Sequence, residues 1–143
     1  MTHMDKNNYS GKHASDRPVD PAIAAAVRKR AKEGRISCAD AFRISEDLDT
    51  TASEVGFTID ALEHRILACQ LGLFGHKAGK SLNSIEVIPD DLKSAVLDSQ
   101  ENECLRCQDA WKIAKGLGIK KIAVSSACES MKVKITSCQL GAF

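Results

Sequence analysis

Small and apolar side chains return every three or four positions along residues 38–48, at Cys38, Ala41, Phe42, Ile44, Ser45 and Leu48. That spacing predicts an amphipathic helix with one buried stripe. The same stripe recurs along 107–117, at Cys107, Ala110, Trp111, Ile113, Ala114 and Leu117. Upstream of each lies another helical pattern, carrying Ile23, Ala26 and Val27 in one place and Leu92, Ala95 and Val96 in the other. Asp20-Pro21 and Pro89-Asp90 open these stretches, and Pro and Asp suit a first helical turn. Downstream, residues 51–62 and 120–131 predict a third helix, with Val55 and Val124 facing inward and Thr50 or Thr51 as N-cap in the first case. HRILAC (64–69) and KVKITSC (132–138) are rich in branched residues and partly alternate, which predicts a strand that Gly72 and Gly141 would end.

These parallels have one source. The hexapeptide CQLGLF at 69–74 returns as CQLGAF at 138–143, and the same offset of 69 residues aligns further identities without a gap. Cys38 falls on Cys107, Asp40 on Asp109, Ala41 on Ala110, Ile44 on Ile113, Leu48 on Leu117, Val55 on Val124 and Ile66 on Ile135. A duplicated unit explains this pattern. The expected fold is mainly α with short strands, as two units of three helices plus a strand. The expected boundaries are a disordered tail at 1–19, unit 1 at 20–74, a connector at 75–88 and unit 2 at 89–143.

Composition narrows the setting. With 143 residues, 43% hydrophobic and 27% charged, the chain has an ordinary globular makeup. No apolar run approaches the roughly 20 residues that span a bilayer, and the N-terminus lacks the apolar core of a secretory signal, so no membrane partner and a cytoplasmic location are expected. Six cysteines are then read as thiols rather than as a disulfide scaffold. A net charge of +1 argues against a strongly basic nucleic-acid binder, so any such surface must be local.

In the second unit, helix two ends in GLGIKK, where Gly118 suits the left-handed position that closes a helix; Asp49 holds that place in the first. The stretch IAKGLGIKKIAV (113–124), and less plainly ISEDLDTTASEV (44–55), resembles the helix-turn-helix core of bacterial DNA-binding proteins. Ala114, Leu117, Gly118, Ile119 and Val124 fill the motif's places in unit 2; Ser45, Leu48 and Val55 fill them in unit 1, where Asp49 and Thr50 depart from it. A strand after the third helix is similar to the winged variety, with GHKAGKSLNSIEVI (75–88) as a wing.

The resemblance implies a DNA-binding regulator of transcription that places its third helix in the major groove. Unit 2 offers Lys120, Lys121, Ser125 and Ser126 there, flanked by Lys112 and Lys115, with Lys77 and Lys80 in the wing. Unit 1 offers Thr51, Ser53 and Thr58 beside Glu54, Asp60 and Glu63, whose carboxylates would repel phosphates. Residues 20–74 carry seven Lys and Arg against nine Asp and Glu, residues 89–143 eight against seven. Unit 2 is therefore the expected reader of double-stranded DNA, and unit 1 a supporting or homodimerising element. The acidic helix of unit 1 supports a second reading, a protein-interaction module on the same scaffold.

The cysteines permit a third. Cys104 and Cys107 have a C-x-x-C spacing and, with Cys128 and Cys138, reach the count for zinc or an iron-sulfur cluster, as a metal or redox sensor would need. The other two form no second pair of that spacing, and Cys38, Cys69, Cys107 and Cys138 recur where the patterns call for something small and apolar. Packing without a cofactor is the default. No phosphate loop, paired-histidine helix or nucleophile elbow is present, His64 is expected to be solvated or partly buried, and no enzyme is expected.

Overall fold

The computed structural model describes residues 17–76 and 87–143. Among them are six helices and four three-residue strands, a mainly helical protein with short strands. The order is α1 (Pro21–Arg30), β1 (Arg35–Ser37), α2 (Cys38–Asp47), α3 (Ala52–Ala61) and β2 (Arg65–Leu67), then α4 (Asp90–Ser99), β3 (Cys104–Arg106), α5 (Cys107–Leu117), α6 (Lys121–Met131) and β4 (Lys134–Thr136). None of these helices is long and apolar enough to cross a membrane. The expected tail and connector fall mostly on residues 1–16 and 77–86, which lie outside the described residues.

Local chemistry fixes the helix ends. Asp20 caps α1, accepting the Ala22 amide at 2.8 Å, with Pro21 in the first turn. Ser37 caps α2 through the Asp40 amide and Thr51 caps α3 through the Glu54 amide, both at 3.1 Å. Gly118 closes α5 at φ 66°, with the Ile119 amide donating to the Ala114 carbonyl at 3.0 Å. Asp49 closes α2 in the same geometry at φ 49°, with the Thr50 amide on the Ser45 carbonyl.

The unexpected elements are β1 and β3. Each follows a two-residue turn, Glu33-Gly34 or Asn102-Glu103, in which both residues have positive φ. Each then pairs in parallel with the strand after the third helix: Ile36 with Ile66, and Leu105 with Ile135. Among the described residues, the strand after the third helix therefore pairs back to a strand before helix two; most of the expected wing lies outside them. The ladders clip the start of α2 to the end of α3, and α5 to α6, and only their central residues are buried.

The units do not divide where the repeat does. One comprises the chain up to Cys69 together with Gln139–Phe143; the other comprises Gln70–Cys138. The hexapeptides are thus exchanged after their cysteines. Unit 1 has a core of Ile23, Val27, Ile36, Ala41, Ile44, Val55, Ile59 and Ile66, closed by Leu140 and Ala142. Unit 2 repeats it with Leu92, Val96, Leu105, Ala110, Ile113, Val124 and Ala127, closed by Leu71. Leu48, expected in the stripe, is 41% exposed, because α2 ends at Asp47 and the stripe overshoots it. Phe42, Trp111 and Leu117 are half-buried.

Two glycines test this packing in opposite directions. A Cβ at Gly56 would collide with the Leu140 carbonyl, whereas one at Gly116, inside α5, would meet nothing. Gly56→Ala should lower stability by about 1–3 kcal/mol, the usual scale of overpacking. Gly116→Ala should raise it by about 0.4–1 kcal/mol through the unfolded chain. Denaturant unfolding of the two variants checks both signs.

Candidate functional site: the enclosed third helices

In the expected scheme the third helices carry the function, so their surroundings decide what they can do. In α3, every residue from Val55 to Asp60 is buried; in α6, every residue from Val124 to Cys128 is. A run longer than one turn cannot be buried by a single neighbour, since a helix turns 3.6 residues per revolution. One side packs on the preceding helices of the unit, α1 and α2 for α3, α4 and α5 for α6. The hexapeptide segment covers another side. In unit 2 the Ser125 hydroxyl donates to the Leu71 carbonyl at 2.5 Å, with the Ile122 carbonyl at 3.1 Å. In unit 1 the Leu140 carbonyl lies where Gly56 has no side chain. Gly56 and Ser125 are equivalent at the 69-residue offset, as are Leu71 and Leu140.

This burial revises two expected DNA contacts. Ser125 and Ser126 are 1% and 8% exposed, so neither reaches a base edge in this structure. The lysines stand differently. Lys112, Lys115 and Lys120 are exposed, and Lys121 is half-buried with its ammonium 4.4 Å from the centre of the Trp111 ring. Lys77 and Lys80 lie outside the described residues. The start of α6 has neither a side-chain cap nor an acidic first-turn residue, so Lys120 and Lys121 crown an open N-terminus.

In unit 1 the end of the expected tail intervenes. Arg17 pairs with Glu54 at 2.6 Å and stacks on the Phe57 ring at 3.8 Å, covering the start of α3 with its own charge partner. An arginine 37 residues upstream gives no local sign of that destination. His64 is half-buried and its Nδ1 donates to the Leu62 carbonyl at 2.9 Å, a turn contact.

The cysteine set does not assemble. Cys104 is in β3 and Cys107 opens α5, so the C-x-x-C pair straddles a strand-helix junction; Cys128 is within α6 and Cys138 follows β4. Among the described residues, no group of three or more His, Cys, Asp or Glu is placed to hold a metal ion. Cys38, Cys69, Cys107 and Cys128 are buried and Cys104 and Cys138 half-buried. Burial pushes the Cys128 thiol from its ordinary 9.0 to about 11.

No protein-family model, curated protein or solved structure matches the chain.

Two predictions concern the thiols. Alkylation of the native protein, read by peptide mass spectrometry, should label Cys104 and Cys138 first and Cys128 last, because reaction needs an accessible thiolate. The raised Cys128 value also has a sign: its contribution to stability is complete below the unfolded thiol's range and is lost as pH climbs from about 9 through about 11. Alkaline unfolding curves of Cys128→Ala should therefore decline less steeply over that interval than those of the wild type.

Proposed function

We propose that the chain is a cytoplasmic protein-interaction module, binding rather than catalytic, on two helix-turn-helix-like units. The observation that carries this reading is the closure of both third helices over 55–60 and 124–128. A helix that reads the major groove must present its outward face to base edges, and that face is here occupied by the protein's own hexapeptide. What remains exposed is the rim: the turns between helices, the outer faces of α1, α2, α4 and α5, and loops.

A specific observation favours a second reading. The exposed Lys112, Lys115 and Lys120, with Lys121 at an uncapped helix start, are suited to phosphate contacts without base readout. The protein would then be a DNA-binding regulator held mainly by the duplex backbone.

Selection from a randomised duplex library, followed by anisotropy at varied salt, separates the two. The interaction reading expects no enriched sequence and weak binding or none. If weak binding occurs, replacing Lys120 and Lys121 with Ala should flatten its log-log salt slope by about one to two units, each phosphate contact contributing near 0.9. Recovery of a duplex bound with strong sequence preference would overturn the interaction reading in favour of the regulator.

A further inference from the structure

The two units diverge sharply at one place. In unit 1 the guanidinium of Arg30, at the end of α1, lies 3.3 Å from Asp40 and 3.2 Å from Asp47. The residues 69 positions on are Ser99, Asp109 and Gly116. Unit 2 thus keeps the carboxylate in the first turn of its second helix but replaces the arginine with a hydroxymethyl group and the second carboxylate with hydrogen. At this place unit 2 has a cleft of about 460 Å³. Ser99, Glu101, Asn102, Cys104, Arg106, Asp109 and Thr136 line it.

We propose that this cleft receives an arginine side chain of a partner protein, its guanidinium taking against Asp109 the place that Arg30 takes against Asp40 in unit 1. The lining suits that group. A planar guanidinium carries five donors, and Asp109, Glu101, the Asn102 carbonyl and two hydroxyls supply acceptors. Two carboxylates against one guanidinium favour a cation and disfavour phosphate.

Arg106 does not close the site. It contacts Asp109 through Nε at 2.8 Å, but its second bond, to Oδ1, is stretched to 3.4 Å and its side chain is 62% exposed. A carboxylate offers about four acceptor positions and Arg106 takes two of them, one by a long bond, so each oxygen keeps a position for an incoming donor. The arginine end of this pair lies in solvent although Asp109 is only 17% exposed, so Arg106 can share the carboxylate with a second donor. The neutral Ser37 at this position in unit 1 caps α2 instead, leaving Asp40 to Arg30.

This inference rests on the interaction-module reading and supplies the chemistry of one partner group. The full chain, followed by the amide shifts of heteronuclear NMR, is titrated with Nα-acetyl-arginine methylamide, its lysine counterpart and inorganic phosphate. The arginine probe should give saturable shifts at Ser99, Asn102, Arg106 and Asp109, and bind more tightly than the lysine probe. Ser99→Arg, which fills the cleft as Arg30 fills its counterpart, should abolish these shifts. Asp109→Asn, nearly isosteric, should weaken binding by about tenfold or more, the scale of one charge-assisted hydrogen bond. Arg30→Ser with Asp47→Gly should open a second saturable site around Asp40. The proposal is overturned if the arginine probe gives no saturable shifts, if the shifts survive Ser99→Arg, or if phosphate saturates the cleft and arginine does not. That failure would leave the closed third helices, and the function read from them, standing. A strongly selected duplex would remove that function without altering the titration.

Discussion

The approach of a leucine carbonyl to the third helix is the contact on which each unit depends. Leu140 in unit 1 and Leu71 in unit 2 are buried almost completely, each carried by a short segment that crosses the unit's third helix. A carbonyl brought against a helix surface either needs a donor or must have its side-chain clash removed. The two units solve this differently at the same position. Ser125 supplies the donor, and Gly56 removes the side chain. Without the segment, the third helix would lose its cover at Gly56 in unit 1 and at Ser125 in unit 2. Because the segments are exchanged, unit 1 completes its core with Gln139–Phe143 and unit 2 with Gln70 onward. Units of this size bury too little surface to spare such a contribution.

The backbone records the duplication more faithfully than the side chains do. Residues outside the usual φ range pair across the offset: Glu33 with Asn102, Glu63 with Lys132, Ala68 with Ser137, Asp49 with Gly118, and Gly72 with Gly141. Gly34 at φ 76° has Glu103 at φ 63° as its counterpart, so a non-glycine residue holds a left-handed turn where glycine would do so without strain. Turn geometry and strand register therefore persist while side chains change, and the informative positions are those where a shared backbone carries different chemistry. Arg30 against Ser99 is one, Asp47 against Gly116 another, Gly56 against Ser125 a third.

What could be read from the sequence was local. The stripes of α2 and α5, the Thr51 cap, the left-handed Gly118 and Asp49, and the alternation of HRIL all depend on residues within a few positions of one another. Strands β1 and β3 escaped notice because three residues give no periodicity, and the parallel partner of Ile36 lies 30 positions away at Ile66. The exposure of Leu48 turned on a helix end one residue short of the stripe. The largest gap concerns the third helices. Ser125 and Ser126 carry the composition of a groove-reading surface, and nothing near them in sequence reveals that a segment from residue 70 onward lies over them. A signal was present nonetheless. The repeated hexapeptide pairs an invariant Leu with a Gly at positive φ, the makeup of a segment that must turn and dock rather than merely end a strand.

That docking also bears on where a binding partner can gain purchase. An enclosed third helix cannot be uncovered without withdrawing Leu71 or Leu140 from a core, so both the hydrophobic contribution of the leucine and, in unit 2, the Ser125 hydrogen bond would oppose it. The lysines at the start of α6 escape this constraint, because the helix start lies outside the buried run and Trp111 holds Lys121 in place from α5. The end of α4 escapes it as well, since Ser99, Glu101 and Asn102 belong to a helix end and a turn that no hexapeptide covers. On the proposed interaction reading, recognition would belong to the helix ends and turns of unit 2, where charge is exposed and bulk has been removed. The equivalent places in unit 1 are already occupied, at α1 by Arg30 between its two aspartates and at α3 by Arg17 on Glu54 and Phe57.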